Sequence, residues 1–222
     1  MFSMSSEVPL AYRSRSPSSS VNGSAPAVIF LHGRGADETD LLPIAKQLPD
    51  YMHIFSVRGP IDFEDGYAWY NLSVDQGGLH NSQPDTDSFR TSSYRLAKFI
   101  DYISSKYPID SSKIGLFGFS QGGTLAIGTA IEAPDRVNWV VALNSYLPDV
   151  HQSVSKLANA RSVSMFLAAG ELDVVIPEER TERASNRLRD VGVDVTYKTY
   201  TVGHGATDAE IQDTVRWIQQ QV

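Results

Sequence analysis

The sequence predicts a single-domain α/β fold, a mostly parallel central sheet with helices on both faces. Three observations carry that expectation. The 222 residues suit one large domain, and a chain of that size buries about 70% of its unfolded surface. Short apolar runs alternate repeatedly with longer stretches of helical period. Several runs are continuously apolar rather than alternating, as parallel strands covered on both faces must be.

The elements follow in chain order. Residues Arg13 to Pro26 are rich in Ser, Pro, Asn and Gly and read as a loop or frayed arm. The boundaries drawn are 1–25, an N-terminal arm and first strand, and 26–222, the domain proper. The apolar runs are AVIFLH (27–32), HIFSV (53–57), KIGLFGF (113–119), WVVALN (139–144), SMFLAAG (164–170) and VTYKTY (195–200). Ser88 can cap a helix through Lys106, in which Leu96, Ile100, Ile103 and Tyr107 recur at helical spacing until Pro108 stops it. Further helices are expected over 39–48, 121–133, 178–191 and 208–221. Residues 59–87 carry neither period and are long for a connection. Their aromatic cluster, Phe63, Tyr67, Trp69 and Tyr70, favours an ordered loop with something to cover.

Composition narrows the function. A formal charge of −7 with scattered basic residues argues against a nucleic-acid partner. The absence of cysteine excludes disulfides, thiolate nucleophiles and Cys-ligated metals. The first residues hold no apolar core of signal-peptide length, and no stretch approaches a membrane span, so a cytoplasmic protein is expected. The histidines lack metal-ligand spacing and no phosphate-cradling G-x-x-x-x-G-K-[ST] occurs, so neither metal nor cofactor is expected.

The chemistry concentrates in GLFGFSQGG (115–123). Gly118-Phe119-Ser120-Gln121-Gly122 fits G-x-S-x-G, a sharp strand-to-helix reversal that thrusts a serine hydroxyl into a cleft. Such a turn strains the serine's backbone and crowds neighbouring chains, which is why glycines flank it. A strand-like run precedes it and a helix-like run follows, so an incidental capped turn is the weaker reading.

A serine hydroxyl needs a base to remove its proton. Of five histidines only His151 and His204 follow Ser120. His151 has no acid suitably placed before it, whereas His204 lies in the Gly-flanked loop YTVGHGATD between the last strand and the last helix. The orienting acid belongs at the end of the preceding strand, where GELDVVIP offers Glu171 and Asp173. Asp173 is favoured, because the apolar run behind it shields it from water while it steadies the imidazole. The developing oxyanion needs backbone donors. One follows the nucleophile, Gln121, and the other comes from the glycine-bearing loop in FLHGRGAD (30–37), where His32 reads as structural.

Taken together, LHGRGADETDLLPIA, GFSQGG, GELDVVIP and VGHG resemble the phospholipase/carboxylesterase family of α/β hydrolases, from about Pro26 onward. The resemblance implies a single-domain α/β-hydrolase fold without a large cap domain, with Ser120, Asp173 and His204 on the triad. It places the second oxyanion donor at the backbone N–H of Arg34, and Trp69 and Tyr70 of YAWYNL beside the acyl group. Dimers occur in the family, so a homodimer is compatible. Arg34 stands where the thioesterase branch has an aliphatic residue, and Asn144-Ser145 where the family has a small Ser-Gly; both rank esters above thioesters. The expected function is a serine carboxylesterase acting on small-molecule esters of short to medium chain. Acyl-thioesterase or lysophospholipase action is the alternative, and a non-catalytic binding protein on the same fold is the reading from another class. Activity should fall as pH drops through the titration of the imidazole base.

Overall fold

The computed structural model describes residues 8–18, 23–73 and 78–222. Parts of the N-terminal arm (1–7 and 19–22) and of the long loop (74–77) lie outside the described residues. Seven strands form the main sheet: β1 Tyr12–Arg15, β2 Ala25–Leu31, β3 His53–Val57, β4 Ile109–Phe119, β5 Trp139–Leu143, β6 Ser164–Gly170 and β7 Val195–Tyr200. Their spatial order is β1-β3-β2-β4-β5-β6-β7. All neighbours are parallel except β1, which runs antiparallel along β3 with Tyr12 opposite Val57. Four longer helices connect them: α1 Thr86–Lys106, α2 Gln121–Glu132, α3 Glu178–Asp190 and α4 Asp208–Gln219.

The two faces of the sheet carry separate cores, as the twofold period of strands demands. Ala27, Ile29 and Leu31 of β2 join Leu96 and Phe99 of α1, Leu125 of α2 and Leu188 of α3. Val28 and Phe30 of the same strand join Ile211 and Ile218 of α4 on the other face. Helix α2 is buried without a break from Gln121 through Ile131, which marks it as a central element. No helix among the described residues is long and apolar enough to cross a membrane.

The structure departs from the sequence reading at three elements. Residues 13–15, read as the start of a loop, belong to strand β1, which lies within the segment drawn as arm and first strand. The helix expected over 39–48 shrinks to one turn, Leu42–Ala45. There the Asp37 carboxylate takes the N–H (2.7 Å) and the hydroxyl of Thr39, a local bond that competes with helix formation. Helix α1 begins at Thr86, because Asp85 rather than Ser88 caps it, its Oδ1 accepting the Ser88 N–H at 3.0 Å. The long loop is ordered where described, with a hairpin of Ile61–Phe63 and Gly66–Ala68 and a short pairing of Leu72–Ser73 with Gln83–Pro84.

Parallel strands set their C-terminal ends along one edge of the sheet, where ligand sites of such folds form. Ser120 follows β4, Asp173 follows β6, His204 follows β7, and the loop beginning at His32 follows β2.

Candidate active site

Ser120 sits between β4 and α2 with φ 54° and ψ −117°, a region L-residues avoid at a cost of about 1–3 kcal/mol. Its N–H is tied to the carbonyl of Leu143 at the end of β5 (2.8 Å). The turn closes so tightly that a Cβ on Gly118 would meet the backbone of Gly122 at 2.4 Å, and one on Gly122 the carbonyl oxygen of Leu31 at 2.1 Å. Only glycine fits either position.

The hydroxyl is not isolated. Ser120 Oγ lies 2.9 Å from His204 Nε2, and His204 Nδ1 lies 2.7 Å from Asp173 Oδ2. Asp173 is buried, and its Oδ1 accepts the N–H groups of Val175 (2.8 Å) and Ile176 (2.9 Å). Burial alone would raise its pKa, but the bonds from His204 and the two N–H groups outweigh it and hold the carboxyl below its usual range. Glu171, two residues earlier, is exposed and accepts from Thr199 and Thr201 instead. The acid therefore faces Nδ1, which fixes the imidazole with Nε2 toward the serine.

Asn144 joins this chain, and sequence reading did not assign it. Held at φ 48° after β5, it donates from Nδ2 toward Asp173 Oδ2 (3.0 Å) and the carbonyls of Gly203 (3.3 Å) and Gly205 (3.2 Å). It thus joins the acid to the loop that carries His204. The one sequence signal was its place at a strand end, in a residue type that tolerates the left-handed region.

The loop after β2 is braced from below. Gly35 N–H donates to the Tyr67 carbonyl (2.8 Å) and Tyr67 N–H to that of Ala36 (2.9 Å). Arg58 grips Glu38 with two bonds, at 2.6 and 2.7 Å, and donates to the Tyr67 hydroxyl at 3.0 Å. Chiefly through that grip, the Glu38 carboxyl is pulled down to about 2. His32 is buried and structural. It accepts the Gly59 N–H at Nε2 (2.9 Å), so Nδ1 donates to the carbonyl of Gly33 (2.7 Å). Burial depresses its pKa and keeps it neutral.

Gln121 opens α2, and the first N–H groups of a helix have no partner within it. Its side chain is committed elsewhere, Oε1 accepting the Trp69 N–H and Nε2 donating to the Tyr70 carbonyl, both at 2.7 Å. Trp69 is fully buried behind the loop after β2, its Nε1 donating to the His32 carbonyl (2.9 Å). It is not among the residues lining the cavity over Ser120, whereas Tyr70 is. That cavity measures about 270 Å³ and is walled by Tyr70, Leu72, Leu79, Tyr146 and Ile176, with Arg34 at one side over the ring of Phe63 (3.8 Å). No group of three or more His, Cys, Asp or Glu among the described residues could hold a metal ion.

A hydroxyl, an imidazole and a buried carboxylate thus stand in one hydrogen-bonded row beside a partly apolar cavity. A family model described as Phospholipase/Carboxylesterase matches residues 18–222, nearly the whole chain. The chain belongs to the phospholipase/carboxylesterase family. Its members are ester hydrolases, and the chain is a hydrolase of that kind. The acyl-protein thioesterase 1 of Candida albicans is 27% identical over 219 residues, covering 89% of this chain and 94% of that protein. Among solved structures, the Bacillus cereus carboxylesterase superposes with a TM-score of 0.84 at 22% identity, covering 98% and 97% of the two chains. A carboxylesterase from Mesorhizobium loti gives 0.82 at 19% identity, with 96% of each chain covered. These two likenesses bear on the fold, which is the single-domain α/β hydrolase with a mostly parallel sheet.

Proposed function

We propose that the chain is a serine carboxylesterase for small-molecule esters of short to medium acyl chain. The observation that carries the reading is the continuous hydrogen-bonded row Ser120–His204–Asp173 opening on a cavity of about 270 Å³. Ser120 Oγ attacks the acyl carbonyl as His204 Nε2 takes its proton, and Asp173 steadies the imidazolium. The carbonyl oxygen, now negative, is held by the N–H groups of Gln121 and Arg34. One such donor lowers the barrier by about 3 kcal/mol. The alcohol leaves with the proton from His204. A water that gives its proton to His204 then attacks the acyl-enzyme, and the acid departs as Ser120 regains its hydrogen. Tyr70 meets the acyl group directly, while Trp69 works one layer back by fixing the His32 carbonyl and, through Gln121, the start of α2.

The cavity favours modest acyl chains, since its apolar walls enclose less than most drug-sized sites. Thioester hydrolysis is the second reading, favoured by the name of the Candida albicans relative. The test is turnover of p-nitrophenyl esters from acetate to palmitate, alongside a long-chain acyl thioester, by the wild type and Ser120→Ala. Hydrolysis of the shorter esters that Ser120→Ala lowers by at least about a thousandfold is expected. A rate optimum on the long-chain thioester would replace the ester reading with the thioester one.

A further inference from the structure

The turn that carries Asp173 runs on into α3, and the third residue of that helix turns back over the cavity. Arg180 donates from Nη1 to the carbonyl of His80 (3.1 Å) and from Nη2 to that of Ser82 (2.9 Å). The flat face of its guanidinium lies 3.5 Å from the centre of the Tyr146 ring. Leu79, Ser82 and Tyr146 all line the cavity over Ser120. One cation therefore joins two of its walls, the strap of residues 79–84 and the segment after β5.

The rest of the strap shows why that grip matters. At its far end, Gln83–Pro84 pairs with Leu72–Ser73 and is fixed without Arg180. Nearer Leu79 the strap is a single helical turn, Leu79–Asn81, closed by the N–H and hydroxyl of Ser82 on the Leu79 carbonyl (3.0 and 2.7 Å). Leu79 itself is 44% exposed and so lies at the rim rather than in a core. Such a turn is far shorter than a helix stable on its own, so its place is set by what holds it from outside. The planar fork of arginine suits two carbonyls and an aromatic face at once, which a lysine ammonium cannot match.

We propose that Arg180 is a positioning residue that sets the acyl-chain length the cavity accepts, by holding Leu79 and Ser82 against Tyr146. It touches neither Ser120 nor the site of its attack, and acts through the wall. The inference rests on the cavity being the acyl site of the ester hydrolase proposed above. Releasing the strap lets Leu79 move outward and lengthens the apolar channel, so longer chains gain and acetate gains little.

The experiment measures kcat and KM for p-nitrophenyl acetate through decanoate with the wild type, Arg180→Ala and Arg180→Lys, each checked for folding by circular dichroism. The decanoate-to-acetate ratio of kcat/KM should rise about tenfold in Arg180→Ala, the scale on which apolar pockets discriminate chain length. The gain should appear mainly in KM, and Arg180→Lys should fall between the other two. A folded Arg180→Ala with an unchanged ratio, or with an equal loss on every ester, overturns the proposal. Should Arg180→Ala not fold, Leu79→Ala trims the same wall directly; it must raise the ratio, and an unchanged one overturns the proposal too. A wild type that turns over no ester sinks the hydrolase reading and this inference with it, whereas turnover with an unmoved ratio sinks only the role of Arg180.

Discussion

At the residue scale the candidate site depends on backbone that would be unfavourable elsewhere. Ser120 and Asn144 both lie at positive φ, one after β4 and one after β5. Asn144 is the more informative, because its conformation and its hydrogen bonds can be separated. Asn144→Ala loses the bonds and keeps a side chain disfavoured at φ 48°, adding about 1–2 kcal/mol of strain. Asn144→Gly loses the bonds but relieves the strain. We expect Asn144→Gly to melt closer to the wild type than Asn144→Ala, and both to lose about tenfold in kcat, or about 1.4 kcal/mol of barrier, as His204 loses its fixed orientation. Unchanged kcat in a folded Asn144→Gly would show that Asn144 has no part in aligning the base. That Ser120, Asp173 and His204 would meet was legible, because each follows a strand run and because the turn at Ser120 demands glycines at fixed places. Asn144 was not, since its partners come from loops 29, 59 and 61 residues away and meet only in the folded chain.

At the element scale, α4 anchors the loop that carries His204. Its start is a reciprocal cap, Thr207 Oγ1 accepting the Glu210 N–H (3.1 Å) and Glu210 Oε2 the Thr207 N–H (3.4 Å). The other carboxylate oxygen, Oε1, is buried without a partner. Burial pushes the Glu210 carboxyl up from 4.5 to about 7, only partly opposed by the Thr207 N–H. A folded pKa above the unfolded one means that the fold favours the protonated acid. Its contribution is complete below about pH 4.5 and is lost as pH rises through about 7. Glu210→Gln keeps the cap and removes the charge. It should raise stability at pH 8 by about 1–3 kcal/mol, with a Tm gain that fades toward pH 5. Thermal melts at the two pH values check this, and an equal difference at both would rule out ionisation as the cause. The parallel strands were legible from their apolar runs. The lost helix over 39–48 and the early start of α1 were not, because single carboxylates, Asp37 and Asp85, decide them by capturing nearby N–H groups.

At the scale of the whole molecule, four strand ends from one sheet edge deliver Ser120, Asp173, His204 and the loop after β2, and α2 packs behind them. That convergence follows from strand order, which places β4 at the centre with β2 on one side and β5 on the other. The cavity was the least legible part. Its walls come from the hairpin, the strap, the segment after β5 and the acid turn, none of which carries a periodic signal. The central claim is that these pieces assemble a nucleophilic serine activated by His204. The measurement that tests it most directly is peptide mapping by mass spectrometry after reaction with a fluorophosphonate, on the wild type and His204→Ala. The account predicts one adduct, on Ser120, formed at least about a hundredfold more slowly in His204→Ala. An adduct at another residue, or one formed on Ser120 at the same rate without the imidazole, would contradict it.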